Sequence, residues 1–228
     1  MWLGMIIHPP FTLYKGDTMS KLTFKQRVLS EIVKSAADYK DVFVDYDYLI
    51  FSEDFKIKPC YIISANADNY PHLTGVNSLL PSAQAFFDKC IDGSLDESDF
   101  DFASKNRSES DVKGSVRQKI KMLPFLSTLF QMRLHAEENF VKGKIHCSLA
   151  TSDNALTIGF ADTEPLRPKT LLQSNELDTA RVVLVQLVLK RSRGTDKFDT
   201  VVQGDAAKFC ELFPDIYECN KPQSKLDE

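Results

Sequence analysis

Glycine and proline are scarce in this 228-residue chain, which contains nine Gly and ten Pro. Such low counts argue against a collagen-like or low-complexity protein, and sixteen Phe argue against a disordered one. No stretch approaches the roughly 18 consecutive apolar residues that cross a bilayer, so we expect no membrane contact. The chain is long enough to bury a sizeable core without disulfides or a structural metal.

A strong excess of charge is also missing: 28 Lys and Arg stand against 32 Asp and Glu, a formal net charge of −4. A mildly acidic protein is not attracted as a whole to phosphate backbones, so any binding of nucleic acid must depend on a local basic patch. The basic clusters in residues 113–121 and 190–193 are the two candidates. A solvated surface is the alternative interpretation of each cluster.

Paired cysteines are absent as well. None of the five cysteines forms a C-x-x-C motif, and an odd, scattered number is typical of free thiols in a reducing compartment. We therefore predict a cytoplasmic protein in which most cysteines are small, buried, apolar side chains.

The chain lacks the motifs of the common cofactor and metal sites. It has no G-x-x-x-x-G-K-[ST] or G-x-G-x-x-G loop for phosphates and no G-x-S-x-G turn for a nucleophilic serine. The segment that begins at His135 fails the H-E-x-x-H spacing for zinc, and the acidic residues 92–101 do not fit a calcium loop. We predict neither a cofactor nor a metal site.

The organisation of the chain favours one domain. Residues 1–18 contain a short apolar run that two prolines interrupt, and Met19 follows, so we predict a disordered leader or an upstream start codon there. Residues 19–205 contain no linker between two cores and are predicted to form a single domain. Residues 206–228 are predicted to be a C-terminal tail.

Helical periodicity dominates the first half of the predicted domain. Thr23 and Gln26 have the spacing of a capping box, and apolar residues then recur at helical intervals as far as residue 39. Pro81 is predicted to open a second helix, and Ser115 is predicted to cap a third helix that Pro124 kinks. The polar stretch 92–111 is predicted to be a surface loop.

Strand-like patterns occupy residues 46–51 and 60–64 and most of the second half. Period-two alternation in residues 141–149 and 155–161 predicts a hairpin closed by a turn at 151–154. This register pairs Leu149 with Leu156 and places His146 opposite Gly159, where a glycine leaves room above the imidazole; a β-bulge at Gly159 is the alternative.

Residues 181–190 and 198–202 are predicted to add further strands. The predicted class is α+β, with N-terminal helices packed on a mostly antiparallel sheet of four to five strands.

One histidine motif remains, the sequence HLTG at residues 72–75. A histidine two residues before a threonine and three before a glycine can present its ring at a sheet edge. Imidazole is the side chain best matched to proton transfer near neutral pH. An ordinary turn histidine is the alternative interpretation of His72.

The string YPHLTGV at residues 70–76, followed by FFDKC at residues 86–90, resembles the phage-encoded Barnase-EndoU-Colicin-RelE-like (BECR-type) nuclease domains, and most closely their fourth phage class. The resemblance extends through ATSD at residues 150–153 and PKTLL at residues 168–172, and it covers roughly residues 20–202. It implies helices on a four-stranded antiparallel sheet, and cleavage of RNA without a metal or cofactor.

The resemblance and the available side chains together suggest a site. Cleavage of RNA through its 2′-hydroxyl needs a base, an acid and hydrogen-bond donors or cations around the phosphate. The predicted catalytic residues are His72 as base, Thr74 and Thr170 as phosphate donors, and Lys190 as cation. The predicted substrate-binding residues are Thr151, Ser152, His146, Lys144, Arg117 and Lys121, with His146 or a lysine as the acid.

We therefore predict an endoribonuclease, and the resemblance extends this expectation to a toxin role, a tRNA or ribosome-associated substrate, and a neutralising immunity or antitoxin protein. The alternative is a non-catalytic phage accessory protein of the same fold that binds RNA or protein, in which His72 and Thr74 only fasten the turn. An ADP-ribosylating enzyme is a third option, but no glutamate motif supports it.

Overall fold

The computed structural model describes residues 22–216, so the predicted leader and the end of the predicted tail lie outside the described residues. Helix α1, Phe24–Tyr39, begins at the predicted capping box. The Thr23 hydroxyl accepts a hydrogen bond from the Gln26 amide at 3.1 Å, and the Gln26 side chain accepts one from the Thr23 amide at 3.0 Å. A π-helical turn, Lys40–Val44, continues α1 and brings Phe43 into the core.

Four further helices follow, α2 (Tyr70–Thr74), α3 (Ala83–Ile91), α4 (Glu109–Met122) and α5 (Ala207–Leu212). Of these, α3 and α4 begin at serine caps that differ from the predicted starts. Ser82, rather than Pro81, caps α3, because its hydroxyl accepts a hydrogen bond from the Ala85 amide at 3.0 Å. Ser108, rather than Ser115, caps α4 in the same way at 3.2 Å, and Ser115 lies inside the helix. The predicted cap at Ser115 is therefore wrong, because the helix begins seven residues earlier.

The strands form two antiparallel sheets and one short ribbon. The ribbon pairs β3 (Asn77–Ser78) with β4 (Phe100–Asp101), so the stretch predicted as a loop contains a strand. The other strands are β1 (Tyr46–Phe51), β2 (Cys60–Ser64), β5 (His135–Lys142), β6 (Ile145–Ser152), β7 (Leu156–Ala161), β8 (Arg167–Gln173), β9 (Val183–Leu184), β10 (Leu187–Ser192) and β11 (Thr200–Gly204). The four-stranded sheet has the order β11-β10-β1-β2, and the five-stranded sheet has the order β8-β7-β6-β5-β9.

The predicted hairpin exists, but its register and its first strand differ from the prediction. A turn at Gly143, with φ 58°, divides residues 141–149 between β5 and β6. Leu149 pairs with Phe160, and Ala150 pairs with Gly159. The predicted pairing of Leu149 with Leu156 is therefore wrong, as is the placement of His146 opposite Gly159.

Local turn chemistry explains the shift in register. The Asp153 carboxylate accepts hydrogen bonds from the amides of Ala155 and Leu156 at 2.9 and 3.0 Å, and Asn154 adopts φ 77°. Asparagine and aspartate favour such turns, so the loop forms two residues later than the alternation suggests. The alternative interpretation of Gly159 is confirmed, because the β7–β8 pairing slips between Gly159 and Phe160 as a β-bulge does.

One segment joins the two sheets. The predicted strand over residues 181–190 is split: β9 pairs with β5, and β10 pairs with β1. Between them the Val185 amide donates to the Leu134 carbonyl at 3.0 Å, and the Gln186 amide donates to the Phe51 carbonyl at 2.9 Å. On the opposite side, Leu166 bridges to β2 just before β8 begins. The two sheets therefore curve around a shared core.

The core lies between the helices and the inner faces of the sheets. Its largest buried side chains include five aromatic residues from the helices and their connections, Tyr39, Phe43, Tyr70, Phe86 and Phe130. Helix α5, which lies within the predicted tail, packs Phe209 on the other face of the four-stranded sheet. The predicted α+β class is confirmed.

Candidate functional site

His72 lies in the short helix α2 and is exposed to solvent. Gly75 ends this helix with φ 79°, a left-handed conformation that glycine adopts without strain. The His72 carbonyl accepts a hydrogen bond from Lys119 Nζ of α4 at 2.7 Å. His72 therefore lies in a helix that contacts both α4 and β8, the edge strand of the five-stranded sheet.

Thr74, the next polar residue of the motif, is fully buried. Its hydroxyl donates to the Pro71 carbonyl at 2.7 Å and lies 3.4 Å from the Val76 amide. These bonds hold the end of α2 together. In this arrangement the Thr74 hydroxyl orients the segment that carries His72 and has no access to a phosphate.

Lys119, in the same region, is not among the predicted site residues. Its aliphatic stem lies across Gly75, where an added Cβ would stand 2.8 Å from Lys119 Cδ. Protein atoms crowd the ammonium closely enough that loss of hydration, followed by repulsion from Arg107, lowers the pKa of Lys119 to about 8. A lysine of lowered pKa beside an exposed histidine is typical of a functional site.

Three further cations lie close to α4. Arg107, Arg117 and Lys121 line a shallow groove of about 610 Å³ that Gln173 of β8 completes. We call His72, Arg107, Arg117, Lys119 and Lys121 together the α2–α4 surface. It contains three of the predicted site residues, His72, Arg117 and Lys121.

His146 and Lys144 lie elsewhere, at the β5–β6 turn. Both are exposed, and the His146 carbonyl accepts a hydrogen bond from Lys169 Nζ at 2.6 Å. The space above Gly159 that was predicted for an imidazole is filled by Cys147, whose Sγ lies 2.6 Å from the position of an added Cβ. Burial raises the pKa of the Cys147 thiol, which makes it a poor nucleophile.

The three predicted hydroxyl residues of the five-stranded sheet are buried. The Thr151 hydroxyl has no hydrogen-bond partner among the described residues, and the Ser152 hydroxyl donates to the Leu156 carbonyl at 2.7 Å. Thr170 pairs with Gly159 and is 7% exposed. All three side chains therefore contribute to the sheet and its turn.

Lys190 and its basic neighbours belong to the four-stranded sheet. Lys190 Nζ stands 4.5 Å from the centre of the Tyr46 ring, a cation–π contact. Arg191 and Arg193 both approach the buried Asp47, at 3.2 and 3.5 Å. Two of the three cations in the predicted cluster at 190–193 thus neutralise an internal carboxylate.

A buried acidic residue outside the predicted site holds a covering segment in place. Glu137 of β5 is fully buried. Its carboxylate accepts a hydrogen bond from the Asp178 amide at 2.7 Å and forms an ion pair with the Arg181 guanidinium at 2.5 Å. Residues 174–182, which we call the strap, thereby lie across the outer face of the five-stranded sheet. Leu177 of the strap packs on that face.

Within residues 22–216, no three His, Cys, Asp or Glu side chains are grouped so that they could hold a metal ion. No helix in that part of the chain is long and apolar enough to cross a membrane.

The chain was compared with models of protein families. Residues 31–203 match the model of the phage-Barnase-EndoU-ColicinE5/D-RelE like nuclease4 family. The chain belongs to this family. No curated protein and no solved structure matches the chain significantly.

Membership of the phage-Barnase-EndoU-ColicinE5/D-RelE like nuclease4 family supports a nuclease-like function and a nucleic acid as substrate. The match confirms the resemblance drawn from the HLTG and PKTLL strings. It begins within α1 and ends in β11, so it includes both sheets and the whole α2–α4 surface.

Proposed function

We propose that the chain is a metal-independent endoribonuclease whose α2–α4 surface cleaves RNA. The observation that carries the proposal is the 2.7 Å hydrogen bond from Lys119 Nζ to the His72 carbonyl, which joins a cation of α4 to the residue that carries an exposed imidazole. Arg107, whose charge acts on Lys119, lines a groove together with Arg117 and Lys121. The family supplies the expectation of a nucleic acid substrate.

The proposed reaction is a transfer within the RNA strand. Neutral His72 removes the proton of a 2′-hydroxyl, and the 2′-oxygen attacks the adjacent phosphorus. The bond from phosphorus to the 5′-oxygen breaks, and Lys119 gives a proton to that oxygen. The products are a 2′,3′-cyclic phosphate and a 5′-hydroxyl, so no water or metal-bound group is consumed in this step.

The lowered pKa of Lys119 suits this role. An ordinary lysine ammonium is too weak an acid to give up its proton readily, whereas one with a pKa of about 8 is much closer to neutral pH. Before transfer, its charge and the neighbouring Arg107 stabilise the crowded phosphate. Arg117 and Lys121 would bind flanking phosphates.

A local site also agrees with the overall charge. The chain carries a net charge of −4, so attraction to RNA depends on the α2–α4 surface instead of on the whole molecule. We infer a selective substrate, such as a tRNA or ribosome-bound RNA. Cleavage of such RNA would make the protein a cytoplasmic toxin, and a neutralising protein would have to cover the α2–α4 surface.

A second candidate is a non-catalytic binding protein of the same fold. The hydrogen bond from Thr74 to the Pro71 carbonyl favours it, because it shows the HLTG motif fastening its own helix. In that case the protein would leave RNA uncleaved, and His72 would have no catalytic role.

The experiment that separates these candidates uses labelled RNA, tRNA and ribosomes with excess chelator. Wild-type protein should yield 2′,3′-cyclic phosphate ends, and His72→Ala should lose at least a hundredfold in rate. His146→Ala is the matched control, because this exposed histidine lies at the β5–β6 turn, and it should cleave normally. Absence of product with wild type on every substrate, or normal cleavage by His72→Ala, would overturn the proposal.

A further inference from the structure

A second groove of about 430 Å³ adjoins the first and lies between α4 and α1. We call it the α1–α4 groove. Its floor is apolar, formed by Leu22, Phe24, Ile120 and Pro124. Its volume falls within the roughly 300–1,000 Å³ of small-ligand pockets, which allows it to hold a group of the size of a nucleotide.

The rim of the groove is mainly basic. Arg27 from α1, and Arg117 and Lys121 from α4, line it and are exposed. Glu31 is the acidic residue of the lining and can accept a hydrogen bond from an exocyclic amine. An apolar floor with a cationic rim complements a flat base joined to an anionic backbone.

Two residues connect this groove to the proposed cleavage site. Arg117 and Lys121 line both the α1–α4 groove and the groove of the α2–α4 surface. The Arg117 guanidinium lies 5.1 Å from the centre of the Phe24 ring, so this cation borders the apolar floor. A strand that passes from one groove to the other would therefore meet the same two cations.

We propose that the α1–α4 groove binds one unpaired nucleotide of the RNA substrate, with its base on the apolar floor and its phosphate at the Arg27 side of the rim. The proposal rests on the proposed function for the identity of the ligand as RNA. It adds that the substrate is single-stranded where it meets the protein, because a base within a duplex cannot turn its face to the floor.

The test measures binding of a ten-nucleotide 2′-O-methyl RNA by fluorescence anisotropy. This RNA has no 2′-hydroxyl and cannot be cleaved by the proposed reaction, so its affinity is measured whether or not the protein cleaves RNA. Ser30 is exposed and lines the groove, and a tryptophan there would fill it. Ser30→Trp should weaken binding about tenfold or more.

Ala37→Trp is the matched control. Ala37 is exposed on the same helix but lies outside the groove lining, so this variant should bind as wild type does. Arg27→Ala should also weaken binding and reduce the slope of log affinity against log salt by about 0.7, the value for one lost phosphate contact on a single strand. Urea unfolding of each variant verifies that it is folded.

Equal affinities of Ser30→Trp and Ala37→Trp would overturn the proposal, as would a duplex that binds as tightly as the single strand. Another occupant of the groove, such as residues 1–21 of the same chain, also predicts equal affinities. If instead the groove variants behave as expected and wild type cleaves no RNA, the proposed function fails and the binding site stands.

Discussion

Replacement of Lys119 by methionine should remove a pH dependence from the stability of the protein. Methionine keeps an unbranched stem across Gly75 and removes the ammonium. In the folded protein, loss of hydration and repulsion from Arg107 lower the pKa of Lys119 from 10.5 to about 8. In the unfolded chain the pKa returns to its ordinary value near 10.4.

The sign follows from proton binding. Below about pH 8 both states carry the proton, and the folded state bears the full cost of the crowded charge. Between about pH 8 and pH 10.5 the folded protein has released the proton while the unfolded chain retains it, so the free energy of unfolding rises with pH. A shift of about 2.5 pKa units corresponds to about 3 kcal/mol at 1.36 kcal/mol per unit, and partial exposure of the side chain reduces this to about 1–2 kcal/mol.

At pH 7 the two effects of Lys119→Met partly offset each other. Relief of the crowded charge stabilises the variant, whereas loss of the hydrogen bond to the His72 carbonyl costs about 1 kcal/mol. The pH dependence is therefore the sharper measurement. At the same time the variant should cleave RNA much more slowly, since the proposed acid is gone.

The assay is urea unfolding of wild type and Lys119→Met at pH 7, 8, 9 and 10. The free energy of unfolding of wild type should rise relative to that of the variant by about 1–2 kcal/mol over this range. Lys121→Met is the control, because Lys121 is exposed and its difference from wild type should not change with pH. A constant difference between wild type and Lys119→Met would refute the reasoning.

Two further predictions concern the five-stranded sheet. Arg181→Ala should lower the free energy of unfolding by about 2 kcal/mol in urea titration, because it leaves the buried Glu137 carboxylate without its cation; a change below about 0.5 kcal/mol would contradict the role of this pair. Gly159→Ala should cost about 1–3 kcal/mol because its Cβ would stand 2.6 Å from Cys147 Sγ, and a double-mutant cycle with Cys147→Ala should recover part of that loss. Gly114→Ala is the control and should have the opposite effect. Among residues 22–216, no atom of another element lies within 4 Å of a Cβ added to Gly114 in α4, so this change should stabilise the protein by about 0.5–1 kcal/mol.

Local patterns predicted most of the elements. The capping box of α1 and the strand-like runs of β1 and β2 depend on neighbouring residues, and the structure has both where they were expected. The HLTG and PKTLL strings were sufficient to indicate the family. These features are encoded within a few neighbouring residues, so they can be predicted from the sequence.

The register of the β6–β7 hairpin was harder to predict because two local effects compete. Alternation favours a turn at 151–154, whereas the side-chain bonds of Asp153 and the left-handed Asn154 fix it two residues later. A shift of two residues in each strand preserves the apolar face, so the hydrophobic pattern does not distinguish the two registers.

The candidate site depended on contacts between distant parts of the chain. Lys119 belonged to a recognised basic run, but its hydrogen bond to His72 spans 47 residues and has no local signature. Conversely, Arg191 lies in a basic cluster that pairs with Asp47, 144 residues away, and a charge count cannot reveal that partner. One of the two basic clusters in the sequence therefore belongs to a candidate binding surface, whereas two cations of the other pair with a buried carboxylate.

The segment that contains β9 and β10 has a consequence for how the chain folds. It completes both sheets at once, and its pairing of Asp47 with Arg191 joins residues far apart in sequence. Loop closure over such distances makes folding slow. Until residues 183–192 are in place, β1 and β5 each keep an edge on which another chain could pair. We therefore expect a chain truncated before Val183 to aggregate, even though it retains the entire α2–α4 surface.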